Sequence, residues 1–112
     1  MEFQNLHNNT ILAKLASSEM KISDELKEIN EKINQKKDCD LVLDFSNVEI
    51  INSSNISNLL ILRSILEKNG RKLFLCHVQM ITRCIFVVAG LIELFTFIDN
   101  TEEAIKFVHT SV

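Results

Sequence analysis

Residues Val42 to Ile56 read Val-Leu-Asp-Phe-Ser-Asn-Val-Glu-Ile-Ile-Asn-Ser-Ser-Asn-Ile. An apolar strand here runs into a short loop, and two adjacent serines, Ser53 and Ser54, stand where a long apolar helix must begin. Two hydroxyls are thereby placed at the positive end of a helix and at the rim of a sheet, where an anion is readily held or received. A core residue would be badly placed at such a corner.

Working outward, the chain has 112 residues, which fits one domain (1–112) with a single hydrophobic core. A formal net charge of −3 provides no basic stripe to neutralise phosphates, so nucleic acid is not an expected partner. The opening Met-Glu-Phe-Gln has neither the basic nor the apolar region of a secretory signal. The most apolar stretch, Cys84 to Ile92, is about half the length a bilayer span requires, so no membrane insertion is expected. Together these features predict a soluble, cytoplasmic protein.

The three cysteines, Cys39, Cys76 and Cys84, are odd in number and in no metal-ligand spacing, which favours an inert role for each. With no proline and only two glycines, no Gly-rich phosphate loop can be built. His7, His77 and His109 are scattered, suiting a turn, a strand end and a helix C-terminus respectively. No nucleophile–base pair or carboxylate dyad is evident, so neither an enzyme, a metal nor a cofactor is expected. Asp44 is read as ending its strand and capping the Ser46-Asn47 turn.

Along the chain, Phe3–Leu6 and Thr10–Ala16 are strand-like runs separated by His7-Asn8-Asn9, a turn that asparagine's tolerance of positive φ permits. Ser23 then reads as the cap of a helix, with Asp24 and Glu25 in its first turn. Ile22, Leu26, Ile29 and Ile33 form its apolar stripe, Glu28 and Lys32 pair on its wet side, and Lys36 and Lys37 close it. Cys39–Phe45 is a strand covered on both faces. A second helix runs from Ser54 to Asn69 and stops at Gly70. Lys72–Val78 is a strand, Ile81–Ala89 a helix ended by Gly90, and Leu94–Ile98 a short strand. Thr101 reads as the cap of a last helix, with Glu102 and Glu103 in its first turn. The order predicts an α/β fold: a mixed sheet of four to five strands, with about four helices packed mainly on one face.

Two helices are unusually apolar. Ile56, Leu59, Leu60, Ile61, Leu62, Ile65 and Leu66 cover most of the second, leaving Ser57, Ser64 and Lys68 as a polar strip. In the third, Ile85-Phe86-Val87-Val88 leaves no clean polar face. Either neighbouring elements cover these residues, or they form a docking surface, for a homodimer or for another protein.

Asp44-Phe45-Ser46-Asn47-Val48, Ile51-Asn52-Ser53-Ser54-Asn55-Ile56, Gly70 before Lys72-Leu73-Phe74-Leu75-Cys76, and Gly90-Leu91 leading into Leu94-Phe95 keep one recognisable spacing. From about residue 40 onward the chain resembles the STAS domain of the bacterial anti-sigma factor antagonists. In that family the junction reads Asp-Ser-Ser-Gly, and its second serine is phosphorylated by a partner kinase. The resemblance implies phosphorylation at Ser54, with Ser53 a minor acceptor. It also implies partner switching with a serine kinase that doubles as an anti-sigma factor, and a phosphatase that reverses the mark. The bland alternative is that Ser53 or Ser54 only caps the helix, stabilising it by about 1 kcal/mol over alanine.

Asn52 and Asn55 depart from the family's acidic residue and glycine. They alter the local charge that a kinase would meet and add a side chain where close approach matters. The partner surface expected from the resemblance comprises Asn52, Ser53, Ser54, Asn55, Ser57, Asn58 and Ile61, with Val87 on the adjoining helix. STAS domains serve other roles too. A bracing subunit of a lipid-transport ABC complex, or a small-ligand or nucleotide sensor, are the competing expectations.

Overall fold

A computed structural model describes residues 1–6, 9–100 and 102. Five strands, β1 (Phe3–Leu6), β2 (Thr10–Lys14), β3 (Asp40–Asp44), β4 (Leu73–Cys76) and β5 (Thr96–Ile98), form one sheet in the order β1-β2-β3-β4-β5. Only β1 runs antiparallel, pairing Phe3 with Ala13 and Leu6 with Thr10. The remaining three pairings are parallel, each bridged by a helix: α1 (Glu19–Gln35), α2 (Ser53–Lys68) and α3 (Met80–Val88). Each crossover steps one strand further in the same direction, so crossovers of one hand bring all three helices to one face. Among the described residues, the mixed sheet with its helices on one face is the architecture that the element order predicted.

Ile11, Ala13, Leu41, Leu43, Leu73 and Leu75 form the sheet side of the main core. Against them lie Ile22, Leu26, Ile29 and Ile33 of α1 and Leu59, Leu62 and Leu66 of α2, all buried at helical spacing. Phe86 of α3 meets the rings of Phe95 and Phe97 edge-on, with centroids 5.2 and 5.5 Å away. The alternate strand residues Val42, Phe74, Cys76 and Ile98 form a smaller buried cluster. Burial of both sets explains why β3 and β4 read as unbroken apolar runs.

Gly70 and Gly90 stop α2 and α3 as expected, and in the same way. Gly70 has φ +69° and Gly90 φ +73°. Gly70 N donates to Glu67 O and Arg71 N to Leu66 O, while Gly90 N donates to Val87 O and Leu91 N to Phe86 O. Each is a Schellman closure, whose left-handed residue is accessible to glycine without steric cost. In the hairpin, Asn9 takes the positive φ, at 55°.

Two expectations require correction. Ser18, not Ser23, caps α1: its Oγ accepts a hydrogen bond from Lys21 N at 3.4 Å, and Glu19 stands in the first turn. The earlier start brings Ile22 onto the buried stripe as a true helical residue and frees Ser23 for a contact described below. Similarly, α2 begins at Ser53 and is capped by Asn52, so neither serine is its cap. The described residues hold three of the about four expected helices, together with a 3-10 turn at Ile92–Leu94. The predicted last helix, with Thr101, Glu103 and His109, falls outside the described residues, as do His7 and Asn8 of the hairpin turn.

Candidate functional site

The C-terminal ends of the parallel strands, where α/β sheets carry their ligands, open onto the Phe45–Asn52 loop and the start of α2. Asp44 shapes the loop's first turn by accepting Ser46 N on its Oδ1 at 2.8 Å, as its position after the apolar run suggested. Phe45 and Val48 are buried and pin the loop to the core. Between them and the helix, Glu49 and Ile50 are exposed. Ile50 is an apolar side chain next to the serines that the sequence reading did not include.

At the junction, Asn52 and Asn55 form a reciprocal cap. Asn52 Oδ1 accepts Asn55 N at 2.8 Å, and Asn55 Oδ1 accepts Asn52 N at 3.0 Å. Both amides then reach α1. Asn52 Nδ2 donates to Glu19 Oε2 at 3.1 Å, and Asn55 Nδ2 donates to Ser23 Oγ at 2.8 Å and to Glu19 O at 3.2 Å. Asn55 has 0% exposure. It therefore offers no side chain to a partner, contrary to the expected surface set, and serves instead as the bolt between α1 and α2. The Asn-x-x-Asn spacing is itself a capping-box signal. The contributions of Glu19 and Ser23 have no local sequence signature.

Because Asn52 occupies the cap, Ser53 and Ser54 fall on the first turn of α2, with both side chains exposed. Their amides belong to the first turn, which has no intrahelical acceptor, and no acidic residue stands in that turn. The hydroxyls thus project from a rigid corner bearing the positive end of the helix dipole.

Of the other expected surface residues, Ser57 is exposed and Asn58 half-buried. Ile61 and Val87 are 52% and 58% exposed. Most of the apolar girth of α2 is covered, with Ile56, Leu60 and Ile65 packed on the core. By contrast, α3 keeps an outward apolar side, where Ile81, Cys84, Ile85, Val88 and Ala89 line a shallow groove. The covering reading therefore fits α2, whereas α3 keeps exposed apolar side chains among the described residues.

The corner also explains the asparagine at position 52. An Asn52→Asp substitution would keep the cap acceptor but set a second carboxylate against Glu19, where a donor now sits. The repulsion exists only in the folded state. We expect the variant's stability deficit to be largest at neutral pH and to shrink as pH falls through about 4, where carboxylates take up protons. Denaturant melts at pH 7 and pH 4 check this.

A STAS domain family model matches residues 21–104. The chain belongs to the STAS domain family. No curated protein matches it in sequence. Among solved structures, it is similar to a candidate anti-sigma factor antagonist of Thermotoga maritima, at 14% identity and TM-score 0.83, covering 96% of this chain and 93% of that one. The phosphorylated form of SpoIIAA, a Bacillus cell fate determinant, aligns at 19% identity and TM-score 0.71 over 96% and 97% of the two chains. A sulfate transporter family protein of Wolinella succinogenes aligns at 18% identity and TM-score 0.78, over 93% and 88%. At these identities the likeness is one of fold.

Proposed function

We propose that this STAS domain is a non-catalytic, cytoplasmic regulatory module that switches protein partners through phosphorylation of Ser54, with Ser53 a minor acceptor. The observation that carries this reading is the pair of exposed hydroxyls on the first turn of α2, held at the sheet rim by a cap made of other residues. A phosphoserine there adds about −1.5 to −2 charges next to free amides, so the helix accepts the modification while the surface changes sign. SpoIIAA, a structural neighbour, is described in both unphosphorylated and phosphorylated forms. The partner is a serine kinase that also acts as an anti-sigma factor. Its docking surface comprises the loop, Asn52, Ser53, Ser54, Ser57, Asn58, Ile61 and Val87.

The transporter neighbour favours a second reading, a bracing domain for a transport complex. Affinity capture from the native cell separates the two: a kinase-like partner supports switching, and a transport ATPase or membrane permease supports bracing. Ile61→Lys and Val87→Asp test the surface in the same experiment. Both positions are exposed, so we expect stability within about 0.5 kcal/mol of the parent but loss of the captured partner. Capture at the parental level by both variants would remove these helices from the docking surface.

A further inference from the structure

The same rim carries a second group of side chains that the switch does not use. Asp44 ends β3 and Cys76 ends β4, and the two are register partners in the parallel pair. Both are buried, whereas the next residue, His77, is exposed. One ligand atom from each of Asp44, Cys76 and His77 lies within 4.8 Å of the other two. Strand alternation would send residue 77 to the opposite face from Cys76. The chain instead turns at His77 with φ 56°, a left-handed conformation uncommon outside glycine, and the ring stays with the Asp44–Cys76 pair.

We propose that Asp44, Cys76 and His77 form a binding site for a thiophilic divalent cation of the zinc class. One carboxylate oxygen, one sulfur and one imidazole nitrogen make a donor set of borderline softness, whereas magnesium and calcium require oxygen cages. Zinc bonds of about 2.0–2.3 Å place tetrahedral ligand atoms about 3.3–3.8 Å apart. The two strand-end donors are fixed by the sheet, and the exposed His77 ring can rotate to close the remaining gap. Coordination replaces the Cys76 thiol proton, which passes to solvent, and three protein donors leave the fourth position to water or to a partner's side chain. Since Asp44 also holds Ser46 N, a bound cation would tie the ends of β3 and β4 to the loop that leads to the serines. Asp44 comes from a different strand from the adjacent Cys76 and His77, so no sequence spacing announced the three together.

The test is titration of the full reduced chain with Co²⁺, followed by Zn²⁺. We expect one equivalent of Co²⁺ to give thiolate-to-cobalt charge-transfer absorption with intense tetrahedral bands in the visible, and Zn²⁺ to abolish both. Cys76→Ser and His77→Gly should each lose the signal. The glycine variant suits the left-handed backbone and keeps the fold, so its loss cannot be attributed to unfolding. Cys84→Ser, at an exposed cysteine, should retain the signal. No charge-transfer band in the parent would overturn the proposal. So would a band that persists in Cys76→Ser and His77→Gly, or one that disappears only in Cys84→Ser, which would mark a surface thiol adduct.

Discussion

Replacing Asn55 by alanine is expected to destabilise the protein by about 2–3 kcal/mol, the largest loss from any single polar side chain in the junction. The side chain makes three hydrogen bonds, to Asn52 N, Glu19 O and Ser23 Oγ, from a position with no solvent exposure. Losing them is not uniformly costly. Glu19 O lies at the start of α1 and has a helical amide to accept, and the Ser23 hydroxyl can turn toward a carbonyl of its own helix. Asn52 N–H loses its acceptor at a half-buried position, and an unsatisfied donor costs up to about 1–3 kcal/mol where water cannot replace the partner. The remaining loss comes from packing between α1 and α2. Asn55→Gly should be worse than alanine by up to about 1 kcal/mol, because glycine also weakens the helix. Chemical denaturation of the three proteins checks both values, and a loss under 1 kcal/mol for alanine would mean that the bolt is not holding the two helices.

The second large effect concerns binding. Ser54→Glu places a fixed negative charge on the first turn of α2, where the dipole accepts it, so stability should stay within about 1 kcal/mol of the parent. Affinity for the proposed kinase partner should fall at least tenfold, about 1.4 kcal/mol, because the charge is delivered to the centre of the proposed docking surface. Ser54→Ala should bind like the parent but accept no phosphate. Opposite behaviour of two variants at one exposed site separates a switch from a structural role. A mere cap would lose stability in both, and Asn52 already holds that position.

Much of this fold was legible in the sequence because its signals are local. Unbroken apolar runs marked β3 and β4, and Gly70 and Gly90 marked the helix ends through a conformation other residues rarely adopt. The start of α1 was not legible, since Ser18 and Ser23 both satisfy the capping rule, and Ser23 instead meets Asn55 of α2. The junction was half legible. The exposed serines were found from their place between strand and helix, but Asn52 and Asn55 looked like two separate departures from the family. In the folded chain they are one device, each capping the other and both reaching α1, which lies far away in sequence. The pairing also accounts for the loss of the family's acidic residue: with Glu19 beside it, an amide is the side chain that fits.

The Asp44–Cys76–His77 group was illegible for the same reason, because register brings Asp44 to the adjacent Cys76 and His77. Burial and the nearby Asp44 charge push the Cys76 thiol up to about 12, so it reads as an inert core cysteine unless a metal displaces its proton. The Cys39 thiol is likewise pushed up, chiefly by burial, and beside it stands Asp38 but, among the described residues, no three-ligand group. Position relative to other strands, not residue type, separates the two.

The switch reading rests on Ser54 receiving a phosphate from the protein that it binds. The direct measurement is mass spectrometry of the Ser53–Ser54 peptide after the domain is incubated with its captured kinase partner and ATP, alongside Ser54→Ala. The expected result is one phosphate on Ser54 in the parent, little on Ser53, none on the alanine variant, and release of the partner as phosphate accumulates. An unmodified peptide in the presence of an active kinase, or phosphate at Ser54 that leaves the partner bound, would contradict it.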